Sequence, residues 1–143
     1  MDITRKAEYA ITILLELAQT GPDYVPSREV GKRQGIPQNL VPQLVSILSR
    51  EGWVDALRGP RGGIKIAVDP ATITLAEVIE AIEGPIMVSR CLVQQGKSCP
   101  NQTKCPLRNV WAEAQKKVLE VLGDTSIADL VRAQRELSNS ETD

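Results

Sequence analysis

Residues 53–68 read Trp53-Val54-Asp55-Ala56-Leu57-Arg58-Gly59-Pro60-Arg61-Gly62-Gly63-Ile64-Lys65-Ile66-Ala67-Val68. The flanks, 53–57 and 64–68, have the length and β-branched content of short strands, the second alternating Ile64, Ile66 and Val68. Between them, three glycines and one proline in six residues form a tight hairpin tip that displays Arg58 and Arg61, with Lys65 beside it.

Immediately upstream, Leu40, Leu44, Ile47 and Leu48 fall on one face of a helix, and Gln43, Ser46, Ser49 and Arg50 on the other. With Asn39 as N-cap, Pro42 takes the third helical position, where its missing N–H has no intrahelical partner to lose. Glu51-Gly52 ends this helix. A shorter helix precedes it, with Ser27 as N-cap, Val30 facing inward and Gly35 at its end. Before that, Ile3, Ala7, Ala10, Ile11, Leu14, Leu17 and Ala18 recur at three- and four-residue steps, with Asp2 as cap and Gly21-Pro22 as stop. Helix, turn, helix and a hairpin with a basic tip predict a winged helix-turn-helix over residues 1–70.

Its recognition surface carries amide and guanidinium groups. Gln38, Asn39, Gln43, Ser46 and Arg50 line the polar side of the two-helix unit, and Arg58, Arg61 and Lys65 surround the hairpin. Gln and Asn match the donor-acceptor edge of adenine, and Arg matches guanine or phosphate, so these residues are expected to contact double-stranded DNA.

Downstream, Thr74-x-x-Glu77 is a capping box with Ile73 and Val78 at the hydrophobic staple positions. The helix it opens presents Leu75, Val78, Ile79 and Ile82 and stops at Gly84-Pro85. A longer helix runs from Leu107 to Gly123, its apolar positions close to a heptad seam; Leu107, Trp111, Ala114, Val118 and Leu122 are read as a dimerisation stripe. An amphipathic segment, 127–137, follows. Residues 71–137 are thus expected to hold a cysteine loop and dimerisation helices, and 138–143 a disordered tail. The fold class is mainly α with a small β-hairpin wing.

All three cysteines, Cys91, Cys99 and Cys105, lie in the aperiodic stretch 86–105 with C-x7-C-x5-C spacing. An odd number confined to one loop is not a disulfide framework and points to a shared metal or redox site. The chain of 143 residues has no histidine, so a zinc site requires a carboxylate as fourth ligand, an uncommon arrangement. An iron-sulfur cluster suits soft thiolates on a flexible loop better. A cluster-free thiol switch acting by reversible oxidation is the alternative. A small electron-transfer component is a third reading, one that leaves the wing arginines without a purpose.

Composition excludes other classes. Without histidine, serine-histidine and cysteine-histidine catalysis are ruled out, and no enzyme is expected. Without phenylalanine, and with two tryptophans and two tyrosines, the core must be aliphatic, which suits packed helices and gains from dimerisation. The net charge is −1, split as +2 over residues 1–68 and −3 over 69–143, so DNA binding has to rest on local arrangement. No apolar run approaches the ~20 residues of a membrane span and the start lacks a signal peptide, so no membrane is expected as a partner and the location is read as cytoplasmic.

The sequence resembles the Rrf-two family of bacterial winged-helix regulators, which includes iron-sulfur regulators of the IscR, NsrR and RirA types. The resemblance spans nearly the whole chain and rests on Lys6-x-x-Tyr9-Ala10, Arg58-Gly59-Pro60-x-Gly62-Gly63, Ile73-Thr74-Leu75 and the three cysteines. It implies a homodimeric transcription regulator, read as a repressor, on a partly palindromic operator. It also implies a cluster in each cysteine loop, [4Fe-4S] preferred over [2Fe-2S], responding to iron, redox state or a small molecule such as nitric oxide. Seven residues between the first two cysteines resemble the RirA type, whereas several relatives have five. The branch with histidine as fourth ligand is excluded here. Glu8 matches the acidic ligand that nitric-oxide-sensing relatives donate from the other subunit's first helix.

Overall fold

The computed structural model describes residues 2–92 and 104–141. Helix α1 spans Arg5–Thr20, α2 Ser27–Arg33 and α3 Val41–Arg50; strands β1, Val54–Leu57, and β2, Gly63–Ile66, form the hairpin. A 3-10 turn at Pro70–Thr72 leads to α4, Leu75–Glu83; a second, Arg90–Leu92, precedes α5, Leu107–Asp124, and α6, Ile127–Ser140. Among the described residues, six helices and one two-stranded antiparallel sheet make the winged-helix architecture that the hairpin sequence predicts.

The main core is aliphatic. Ile13, Leu14 and Leu17 of α1 meet Val30 of α2, Leu44 and Leu48 of α3, Val54 and Ile64 of the wing, and Ile127 and Val131 of α6. At roughly 1.5–3 kcal/mol per buried aliphatic side chain, this layer of branched residues supplies the stabilisation that aromatics would otherwise contribute. Residues beyond 70 take part in it: Val78 of α4 and Ile127 of α6 share the core of the winged helix. A second, smaller core joins Ala7 of α1, Ile79 of α4 and Ile86, with Val118, Leu119 and Leu122 of α5 packed around them.

Helix ends depart from the sequence reading in instructive ways. Thr4, not Asp2, caps α1, accepting from the Ala7 N–H. Ser27 is the first residue of α2 rather than its cap, and Pro26 precedes it. Leu40, not Asn39, is the N-cap of α3, which puts Pro42 in the second helical position and Val41 among the buried residues. Neither Pro26 nor Leu40 makes a side-chain cap bond, so at α2 and α3 the boundary is not set by capping chemistry; both helices turn a buried valine, Val30 and Val41, into the core.

The Thr74-Glu77 capping box closes as expected, with both reciprocal hydrogen bonds present. A second box, Ser126 with Asp129, opens α6. The two lie side by side: Ile127 donates to the Ile73 carbonyl and Leu75 to that of Thr125, both at 2.9 Å. This fastens α6 to the start of α4. Helix α6 also runs through 138–140, inside the expected tail, where the Ser138 and Ser140 hydroxyls donate back to the Gln134 and Leu137 carbonyls.

Candidate nucleic-acid interface and cysteine segment

Helix α3 buries Val41, Leu44 and Leu48, while Gln43, Ser46 and Arg50 lie on its polar side. Gln38 and Asn39 are exposed in the turn before it, and Arg58 and Arg61 at the hairpin tip. The wing packs against α3 and leaves a groove of about 520 Å³, which brings together Ser46 and Arg58 but is not lined by Gln38, Asn39, Gln43, Arg50 or Arg61. Its walls include Ser46 and Ser49 of α3, Leu57, Arg58 and Gly62 of the hairpin, and Arg28 of α2. A surface of this shape suits a helix in the major groove of B-DNA, with the wing across the adjacent backbone.

Two groove residues, Arg28 and Leu57, escape a reading of the sequence, and a third, Ser49, is read only as part of the polar face of α3. Arg28 is exposed at the start of α2, where only its spacing from Val30 marks it as outward-facing. Leu57 is an exposed leucine at the end of β1, and no periodic signal distinguishes it from a core residue. Ser49 reads from sequence only as polar; its Oγ is buried and has no hydrogen-bond partner among the described residues.

Lys65 is placed differently from the arginines. It is half-buried on β2, opposite Asp55, and its Nζ lies 4.8 Å from the centre of the Tyr24 ring. The ammonium is thus held against an aromatic face rather than standing clear at the tip.

Two devices set the wing and the helix pair. Gly62 and Gly63 permit backbone contact: a Cβ on Gly62 would lie 2.0 Å from the Leu57 carbonyl oxygen, and one on Gly63, at φ +151°, 2.3 Å from that of Val25. Helix α2 is tied to α1 by Arg33, which donates from Nε and Nη2 to the Glu16 carboxylate at 3.0 Å each, and by Gln34 at 3.1 Å. Burial pushes the Glu16 carboxyl up, but the hydrogen bonds from Arg33 and Gln34 and the Arg33 charge outweigh it and leave it below its ordinary value.

Cys91 sits in the 3-10 turn at Arg90–Leu92, its N–H directed to the Ser89 hydroxyl at 3.4 Å. Cys105 lies just before α5. Both are free thiols and half-buried, and the turn carrying Cys91 packs against α5. Cys99 lies outside the described residues. Among those residues, no three His, Cys, Asp or Glu side chains converge as metal ligands. Glu8 is exposed in the first turn of α1, next to Ala7 of the second core.

The stripe of Leu107, Trp111, Ala114, Val118 and Leu122 that the sequence reading expects to dimerise divides between two faces. Val118 and Leu122 pack inward on the second core of their own chain, while Leu107, Val110 and Val121 are 52%, 57% and 65% exposed. Trp111 and Ala114 are half-buried between the two sets, and α5 contains no fully buried residue. Val110 and Val121, which also belong to the near-heptad apolar pattern of this helix, fall on its exposed face.

Residues 3–133 match the model of Rrf2, described as an iron-dependent transcriptional regulator. The chain belongs to the Rrf2 family. It is 34% identical to the HTH-type transcriptional regulator IscR of Xenorhabdus nematophila over 140 residues, covering 96% of this chain and 83% of that one. Among solved structures it is similar to CymR, the global cysteine regulator of B. subtilis, with TM-score 0.75 and 28% identity over 93% of this chain and 98% of that one. It is also similar to T. potens IscR, with TM-score 0.73 and 25% identity over 96% and 90% of the two chains. This Rrf2 protein is accordingly a DNA-binding transcription regulator of IscR-like type and not an enzyme. No helix among the described residues is long and apolar enough to cross a membrane.

Proposed function

We propose that this Rrf2 regulator is a cytoplasmic homodimer, acting as a repressor, whose operator affinity is set by an iron-sulfur cluster on Cys91, Cys99 and Cys105. The observation that carries the reading is the pair of free, half-buried thiols at Cys91 and Cys105, which flank the stretch holding Cys99, with the Cys91 turn against α5. A donor set of thiolates with no histidine fits iron in a cluster better than zinc. When bound, the cluster supplies an iron site that exchanges ligands and changes charge with iron supply, redox state or nitric oxide; [4Fe-4S] is favoured over [2Fe-2S]. Glu8, exposed on α1, is the candidate fourth ligand, donated across the dimer.

Residues 71–137 then act as the sensing and dimerising part. The exposed α5 stripe of Leu107, Val110 and Val121, with Trp111 and Ala114 beside it, supports pairing with a second copy, since an apolar row of this kind is costly to leave in water. Two recognition helices so joined suit half-sites about one DNA turn apart, ~34 Å, or a multiple of it. Gln38, Asn39, Gln43 and Ser46 are assigned to base edges, and Arg50, Arg58, Arg61 and Lys65 to phosphate or guanine.

Anaerobic purification with iron and sulfide analysis tests this. The wild type should be brown, Cys91→Ser, Cys99→Ser and Cys105→Ser should each lose most of the iron, and Glu8→Ala should keep iron with an altered spectrum. Full iron in any cysteine variant removes that residue from the ligand set. The similarity to CymR, named as a global cysteine regulator, keeps open a second reading in which Cys91, Cys99 and Cys105 act as a cluster-free thiol switch. A colourless, iron-free wild type whose operator affinity changes with a dithiol reductant would select it.

A further inference from the structure

Residues 85–89, between α4 and the Cys91 turn, belong to no helix or strand. Their backbone polar groups still require partners. The Val88 N–H donates to Gln115 Oε1 at 2.7 Å, and Gln115 Nε2 donates to the Ile86 carbonyl. One side-chain amide on α5 thus takes both the donor and the acceptor that an extended chain presents along one edge, as a neighbouring strand would.

The two residues so held point to both halves of the molecule. Ile86 is buried against Ala7 of α1 and Ile79 of α4, and Val118, Leu119 and Leu122 of α5 pack around the same cluster. Gln115 lies one helical turn before Val118 and Leu119, so the polar pair and the apolar contact reinforce one registration of α5 on this segment. Three residues past Val88 is Cys91, whose N–H is directed to Ser89 Oγ, while Leu92 donates to the Ser89 carbonyl at 3.1 Å.

We propose that Gln115 is a positioning residue that couples the cysteine segment to the DNA-binding helices. The proposal rests on the reading above, that the state of this segment controls operator affinity. From Cys91 to Ile86 the chain is short and fastened at Ser89, Val88 and Ile86. A displacement of Cys91 must therefore either break the Gln115 pair or carry Ile86, and with it the Ala7 end of α1. With the pair intact the second route is taken. Glutamine alone combines the reach with both polar groups, since Asn is one methylene shorter, Glu has no donor for the Ile86 carbonyl, and Met keeps the length without the polarity.

The test compares wild type, Gln115→Met and Gln115→Glu, each iron-loaded and iron-stripped, by operator affinity at fixed salt and by hydrogen exchange at the Val88 amide. In the wild type the two states should differ by about 5–150-fold, the range of an allosteric coupling. In Gln115→Met that ratio should fall towards 1 at unchanged iron content, and the Val88 amide should exchange faster in the iron-stripped protein. Gln115→Glu, which keeps the acceptor for Val88, should fall between. A wild-type ratio preserved in Gln115→Met overturns the coupling while the regulatory reading stands; should that variant not fold, the same outcome in Gln115→Glu decides it. A wild-type ratio of 1 overturns the regulatory reading, and the coupling with it.

Discussion

Val25 and Ile64 exchange both backbone hydrogen bonds, the Val25 N–H to the Ile64 carbonyl at 2.9 Å and the Ile64 N–H to the Val25 carbonyl at 2.8 Å. The residue that enters α2 is thereby a third, one-residue strand of the wing, on the opposite side of β2 from β1. The hairpin that carries Arg58 and Arg61 is oriented by this bridge as well as by its own ladder.

Gly63→Ala should release the bridge. A Cβ there would lie 2.3 Å from the Val25 oxygen, so the wing must shift, at about 1–3 kcal/mol for overpacking of this kind. Thermal unfolding should show the loss, and operator affinity should fall with helix content unchanged. A variant with wild-type melting and binding would mean that the bridge does not set the wing.

Arg58→Ala and Arg61→Ala should weaken operator and non-operator DNA alike. Each lost phosphate contact should flatten the slope of log affinity against log salt by about 0.9. Gln43→Ala, on the exposed side of α3, should instead cost about 1–3 kcal/mol on the operator alone if it reads a base edge. Titration of both DNAs at several salt concentrations separates the two patterns.

The α5 stripe divides the protein's own core from the surface assigned to pairing. Val110→Asp and Val121→Asp place charges at exposed positions and should yield folded monomers in sedimentation. Val118→Asp and Leu122→Asp strike the second core and should lower the unfolding temperature instead. Folded dimers from both Val110→Asp and Val121→Asp would place the interface elsewhere.

Glu16 predicts an acid limb to stability. Its carboxyl is held below the ordinary value of 4.5, so the folded chain binds its proton less readily than the unfolded one. The contribution is fully present above about pH 4.5 and is lost as pH falls through the lower folded value. Glu16→Gln should be less stable than wild type at pH 7, and the difference should shrink below about pH 4. Equal pH dependence in the two proteins would show that the Arg33 pair contributes no net stability.

The wing, the helix pair and the first capping box are legible in the sequence because each is written in local chemistry. Gly62-Gly63 can only be a turn or a close approach, Thr74 and Glu77 are three residues apart on one helix start, and the period of Leu44 and Leu48 marks a buried face whatever lies opposite. What tertiary structure decided was register and long-range pairing. Whether Asn39 or Leu40 precedes α3 depended on Val41 reaching a core built by other helices. The inward face of α5 packs on Ile86, and the hydrogen bonds of Gln115 reach a backbone edge 27 and 29 residues away. Such contacts leave no periodic trace, because the energy that selects them comes from groups distant along the chain that meet only when it folds.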